Sequence, residues 1–318
     1  MSQAAVLRAG IGYGIRWWRR GVLALCAALA LHNFAAAAGI ALADDRGGTV
    51  VLAAPAQRIV TLAPHLAEIV FAAGAGERLV GVARFSDYPQ AAQRLPQVGD
   101  GSRVDLERIV ALKPDLILAW KSGNQAGDIA RLERLGFAVF VTEPARLADI
   151  PRLLRAVGTL AGTAPAAEQT INKFNNEINE LRNSYGRRSA LRVFYEIWHR
   201  PLLTVNGHHI ISDVISLCGG RNVFAAAPVQ TPVVSVEAVL AARPEVILGG
   251  GSAGDGTEFA AQWQASAVKA LRELPAFYVN PDTIQRQTPR IVEGVRAICE
   301  HLESVRRNRQ ESKSKTKD

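Results

Sequence analysis

The amino-acid sequence predicts an α/β protein made of two Rossmann-like lobes with parallel sheets, joined by one long rigid helix. Three observations carry that expectation. A helix-to-strand passage occurs twice, as VDLERIVALKPDLIL at 104–118 and VSVEAVLAARPEVIL at 234–248, almost position for position and about one domain length apart. Around each copy, strand-like and helix-like runs alternate, the order expected of a parallel sheet with crossover helices. Between the two series lies TINKFNNEINELRNSYGRR, polar and long, with Ile171, Phe174, Ile178 and Leu181 on one helical stripe. The implied organisation is a leader at 1–43, an N-terminal lobe at 44–163, a connecting helix at 164–188, a C-terminal lobe at 189–306 and a disordered basic tail at 307–318.

Within each copy of the repeat, Asp105 or Ser235 is a good N-cap and Pro114 or Pro244 stops the helix. Ile109, Val110 and Leu112 give an apolar face, matched by Val239, Leu240 and Ala242. Glu107 and Glu237 then stand in the first turn, where the helix dipole favours an acid and the side chain faces water. In the first lobe a strand at 58–63 leads through Pro64 to a helix from Ala67 to Ala73, then a strand at 79–83 and a loop, Phe85 to Pro89. After the first repeat come a helix from Gln125 to Leu135 and a strand at 137–141. The second lobe reads as a strand at 191–197, a helix from Ile210 to Leu217, the second repeat, a glycine loop, a strand at 276–279 and a last helix from Pro289 to Val305.

The chain of 318 residues has a formal charge of +8, which is misleading about partners. Arg8, Arg16, Arg19 and Arg20 lie in the first 43 residues with no acid, and the segment from Arg306 onward has six basic residues against two acidic ones. The lobes are therefore near neutral, and a nucleic-acid partner loses its main support. Arginines before an apolar run from Gly21 to Ala30, followed by Ala41-Leu42-Ala43, have the form of a secretory signal cleaved near Ala43. His32 and Asn33 interrupt the run before it could span a membrane, and Leu25 before Cys26 is too bulky for a lipobox. Export to the periplasm as an unanchored protein follows. With Cys26 removed, Cys218 and Cys299 remain, and a lone pair in an oxidising compartment points to a disulfide rather than a metal site.

Six segments carry a resemblance: RIVTLAPHLAEIVFAAG (58–74), VGVARFSDYPQAAQRLPQVG (80–99), LERIVALKPDLILAW (106–120), SLCGG (216–220), SVEAVLAARPEVIL (235–248) and TPRIVEG (288–294). On these the chain resembles the helical-hinge (class III) substrate-binding proteins of ABC importers, and among them the cobalamin-binding members. The resemblance implies a monomer without catalytic activity or intrinsic cofactor, which clasps vitamin B12 between its lobes. It implies delivery to an ABC permease dimer with its cytoplasmic ATPase, with Glu107 and Glu237 docking onto permease arginines. In the ligand pocket it implies an aromatic at Phe85 and an acid–base pair at Asp282 and Arg286. Two tryptophans of those relatives correspond here to Gly101 and Thr231, so two stacking surfaces differ. Trp198 can supply one from another position. Haem or a ferric siderophore is the alternative ligand of the same fold.

A large planar chelate needs apolar walls and a few polar groups at its rim. Phe85, Tyr88, Trp120, Trp198, Asp282 and Arg286 are residues of that kind, although Trp120 and Tyr88 would serve equally as packing residues. His65 and His199 are the candidates for an axial contact to cobalt or iron, ahead of His208 and His209. Gly250-Gly251-Ser252-Ala253-Gly254 matches a hydrolase nucleophile elbow, which makes a serine hydrolase acting through Ser252 a distant alternative. Asp255 and Gly256 extend it as a glycine loop, and the only later histidine is His301. No GxxxxGK is present, so ATP hydrolysis belongs to a partner.

Overall fold

The short apolar runs between the helical ones form two four-stranded sheets, every pair within them parallel. The structure is a computed structural model and describes residues 39–250 and 256–315. An antiparallel hairpin of β1 (Ile40–Ala43) and β2 (Thr49–Leu52) opens the described chain. Ile40–Ala43, around the expected cleavage site, pairs residue for residue with Thr49–Leu52. The rest of the leader, Cys26 included, lies outside the described residues, as does Ser252.

The first sheet contains β3 (Ile59–Thr61), β4 (Leu79–Gly81), β5 (Leu116–Trp120) and β6 (Val139–Thr142), in the spatial order β4-β3-β5-β6. The second contains β7 (Leu191–Glu196), β8 (Gly220–Asn222), β9 (Val246–Gly249) and β10 (Ala276–Tyr278), in the order β8-β7-β9-β10. In both, the first strand of the lobe lies between its second and third, which is the reversal of strand order beside which open α/β sheets bind ligands.

The repeat is reproduced down to its end conformations. Helices α1 (Pro64–Ala72) and α2 (Leu106–Leu112) belong to the first lobe, and Asp105 caps α2 by accepting from the Arg108 N–H. Helices α3 (Ala126–Arg134), α4 (Asp149–Leu160), α5 (Ala164–Tyr185) and α6 (Ile210–Leu217) follow. In α7 (Val236–Ala241), the copy of α2, Ser235 accepts from the Ala238 N–H. After each copy a basic residue turns left-handed, Lys113 at φ 46° and Arg243 at φ 48°, just before the proline that forbids further helix. An acid then ties each new strand to its neighbour: Asp115 accepts from the Gln57 and Arg58 N–H groups, and Glu245 from that of Arg192. One position of the expected apolar face in each copy stays in water. Ile109 and Val239 are buried, but Val110 and Leu240 lie 48% and 38% exposed.

Alternation along the strands divides the core. Ile59, Leu116, Leu118 and Phe140 point to one face of the first sheet, and Val193, Tyr195, Val246 and Leu248 to the corresponding face of the second. These two faces share one continuous apolar core through α5, which contributes Ala167, Ile171, Phe174, Ile178 and Leu181. Full burial of such side chains stabilises by about 1.5–3 kcal/mol each. The outward faces carry separate clusters, with Val60, Ile117 and Val141 under α2 in one lobe and Phe194 and Ile247 under α7 in the other.

Three short helices, α8 (Gly256–Gln264), α9 (Lys269–Arg272) and α10 (Pro281–Ile284), precede α11 (Ile291–Lys315). The last helix continues through most of the expected disordered tail. Its extension is fastened back to the second lobe where Arg306 donates to the Ser189, Cys218 and Gly219 carbonyls and Arg309 pairs with Glu245. Cys218, just past α6, is bonded to Cys299 in α11, with Cα atoms 4.7 Å apart.

Candidate binding site between the lobes

Helix α1 is apolar apart from His65 and Glu68, and a carboxylate 4% exposed in such a helix must find donors elsewhere. It finds them all in the second lobe, in the segment 286–290 between α10 and α11. Arg286 Nη1 donates to Oε1 at 2.9 Å, Arg290 donates through Nε at 3.0 Å and Nη2 at 2.8 Å, and Thr288 Oγ1 donates at 3.1 Å. Arg286 is also held by Asp87, at 3.2 Å from Nη2, and by Asp282 at 2.9 Å. Arg290 lies over the Tyr88 ring, 4.0 Å from its centroid. Burial opposes the Arg286 cation, but hydrogen bonds with Asp87 and Glu68 outweigh it and raise its affinity for the proton. The Arg286 guanidinium in turn holds the Asp87 carboxyl below the usual range.

Of the residues singled out from sequence, Arg286, Asp282 and Tyr88 thus meet in one cluster. Phe85 sits two residues before Asp87 on the same loop, 67% exposed, at φ 65°. A bulky side chain held in that region signals a backbone constrained by its surroundings. Trp198 is 44% exposed at the base of a tight loop, where it pairs with Leu203, and its indole N–H is satisfied by the Arg200 carbonyl. Under that loop lies Glu196, fully buried, which accepts from Trp263 Nε1 at 2.7 Å and Gln262 Nε2 at 3.1 Å. Burial pushes its carboxyl above the usual range. His199 turns back to the same pair, with Nδ1 2.6 Å from Gln262 and 3.4 Å from Glu196.

His65 is 4% exposed and packs edge-on against Trp120 with centroids 5.1 Å apart. Burial, with the Arg286 charge adding to it, pushes the His65 pKa down to about 3, so the ring is neutral. His209 caps α6 by accepting from the Ile211 N–H, and burial lowers its pKa to about 4. His208 is exposed, and His301 stacks on Phe277. Both depressed values give stability a definite pH dependence. Below pH 6.5 the unfolded chain takes up a proton at each site and the folded one does not until the lowered pKa is reached. Stability is therefore lost as pH falls from 6.5, by up to about 2 kcal/mol per histidine at pH 5. Urea midpoints at pH 7 and pH 5 should show this, with a smaller drop in His65→Gln.

Gly101 stands in a turn organised by Asp100, whose carboxylate accepts from the N–H groups of Ser102 and Arg103. A Cβ there would meet the Gly123 carbonyl oxygen at 2.7 Å, so this loop geometry takes no larger side chain, and Thr231 is likewise exposed on a loop. Glu107 and Glu237 both project into solvent from the first turns of α2 and α7. Glu107 borders an open recess of about 800 Å³ lined also by Arg84, Arg103, Asp128 and Arg131. Hydrogen bonds from its own backbone N–H and from Ser235 hold the Glu237 carboxyl below the usual range. Among the described residues no group of three or more His, Cys, Asp or Glu could hold a metal ion, and no helix is long and apolar enough to cross a membrane.

Sequence reasoning missed Glu68, Asp87, Thr288, Arg290 and Glu196. The signal for Glu68 was present, a single acid inside LAEIVFAAG, whereas its donors lie more than 200 residues away.

Comparison with known proteins extends the geometry. The model of the family described as periplasmic binding protein matches residues 59–277. A vitamin B12-binding protein from Vibrio parahaemolyticus is 35% identical over 255 residues, 80% of this chain and 92% of the relative. The crystal structure of the periplasmic vitamin B12 binding protein of Vibrio cholerae superposes with a TM-score of 0.72 at 34% identity, covering 79% of this chain and 98% of that one. A periplasmic heme-binding protein from Roseiflexus sp. RS-1 shares the fold, with a TM-score of 0.68 at 22% identity, covering 78% and 98% of the two chains. The two parallel-sheet lobes, the long helix that joins their cores and the match over residues 59–277 together place the chain in the periplasmic binding protein family, a family of binding proteins and not of catalysts.

Proposed function

We propose that the protein captures a corrinoid, vitamin B12, between its two lobes and delivers it to the permease of an ABC importer. The observation that carries this reading is the 35% identity, over 80% of the chain, to a relative that binds vitamin B12. Phe85 and Trp198 offer exposed aromatic faces to the corrin, and Asp282 and Arg286 offer polar contacts to its rim amides. His65 and Gly101 complete the ligand-binding set, and His65 or His199 is the axial contact if one is made to the metal. The leader before the fold exports the chain to the periplasm, where it works as a monomer. Glu107 and Glu237 dock it onto the permease dimer, whose cytoplasmic ATPase supplies the energy. Their placement on equivalent helices of equivalent lobes suits a receptor that is itself two-fold.

Titration with cyanocobalamin should quench tryptophan fluorescence with a Kd below about 1 μM. The absence of any response, with haem or a ferric siderophore binding instead, would transfer the site to those ligands. Corrin and haem spectra of protein taken from its own periplasm would separate the same two cases.

A further inference from the structure

Two carboxylates of the first lobe reach Arg286, and they differ in one respect. The Glu68 side chain is 3% exposed and the Asp87 side chain 52%. We propose that Glu68 is the positioning residue of the binding site, setting Arg286 and the lobe spacing, while Asp87 occupies the place on Arg286 that a neutral acceptor on the ligand takes over. The proposal rests on the corrinoid reading and adds to it a basis for selection.

The buried carboxylate uses both oxygens, and its donors span only residues 286–290. It therefore fixes the orientation of one short segment of the second lobe against α1 of the first. It also lies between two like charges, because Arg286 and Arg290 repel one another and Glu68 pairs with both. Without it, two guanidiniums would face each other with only exposed acids to balance them. Buried pairs of this kind hold geometry because removing one partner strands the other. Asp87 is in the opposite position. Half in water, on the loop that carries Phe85, its pairing with Arg286 is of the kind that solvent and ligands readily replace.

Charge decides what can replace it. The cluster holds three carboxylates, Glu68, Asp87 and Asp282, against two guanidiniums, Arg286 and Arg290. Exchanging Asp87 for a carboxamide oxygen leaves two against two, whereas exchanging it for a carboxylate restores the excess. The site thus favours chelates with amide rims over chelates with carboxylate rims.

The test is a double-mutant cycle on the whole protein, with cyanocobalamin and its side-chain monocarboxylate as probes. Glu68→Gln should weaken cyanocobalamin binding about tenfold and add little on an Arg286→Gln background. Wild type should prefer the amide to the acid, and Asp87→Asn should narrow that preference while binding the amide more tightly than Glu68→Gln does. If Glu68→Gln fails to fold by circular dichroism, Glu68→Asp, which keeps the charge and shortens the reach, should give an intermediate loss. A Glu68→Gln or Glu68→Asp affinity equal to wild type overturns the proposal. So does a loss that persists in full without Arg286, or an Asp87→Asn protein as weak as Glu68→Gln. Each of these leaves the corrinoid reading standing, whereas wild type that does not bind cyanocobalamin at all overturns both.

Discussion

Glu107→Ala combined with Glu237→Ala should reduce uptake more than about tenfold while the affinity for cyanocobalamin in solution stays within about twofold of wild type. The reason is the separation of the two sets of residues. Both glutamates stand on helices packed against the outward faces of their sheets, over core clusters distinct from the one the lobes share. Neither carries any of the Glu68 or Arg286 contacts. Exposed first-turn acids contribute little to folding, so loss of function without loss of stability is expected. The measurement is labelled-vitamin uptake in cells carrying the variant as their only binding protein, alongside titration of the purified variant. Wild-type uptake by the double variant would remove the docking role. The exposed aliphatics one turn further on, Val110 and Leu240, occupy equivalent places on the same two helices.

Cys218→Ala combined with Cys299→Ala should lower stability by about 4 kcal/mol, which for a chain of this size is a fall of about 7 °C in Tm. The bond spans a sequence separation of 81, so its loss releases a long closed loop in the unfolded chain. Both cysteines are fully buried among apolar side chains, and alanine leaves a small gap without a new polar group. Thermal unfolding with and without reductant checks this. The oxidised wild type should lose stability on reduction and the alanine variant should not.

The fold was readable because its elements announce themselves locally. A cap, an apolar stripe and a proline bound each copy of the repeat, and runs such as Leu116 to Trp120 have the wholly apolar character of strands covered on both faces. The stripe of α5 was readable from spacing alone. What local pattern does not contain is the choice among equivalent apolar positions, which put Val110 and Leu240 in water, and the reach of α11, whose polar end is held by Arg306 and Arg309 across the second lobe. The site was less readable than the fold. Arg286 and Asp282 could be singled out by resemblance, but the partner of Arg286 on the other lobe, Glu68, lies 218 residues away, and such a contact leaves no trace in spacing.

The continuous core through α5 has a consequence for transport kinetics. Two lobes that share one apolar interior and are pinned across the cleft by Glu68 resist changes in the spacing of Glu107 and Glu237, the two residues proposed to dock, like the pins of a plug. A docking surface whose geometry scarcely changes with occupancy cannot by itself tell the permease whether cargo is aboard, since a ligand shifts an equilibrium only through differential contacts. Empty protein would then compete with loaded protein for the same socket. Uptake would follow the loaded fraction of the periplasmic pool, and overproducing the binding protein at scarce vitamin would slow import.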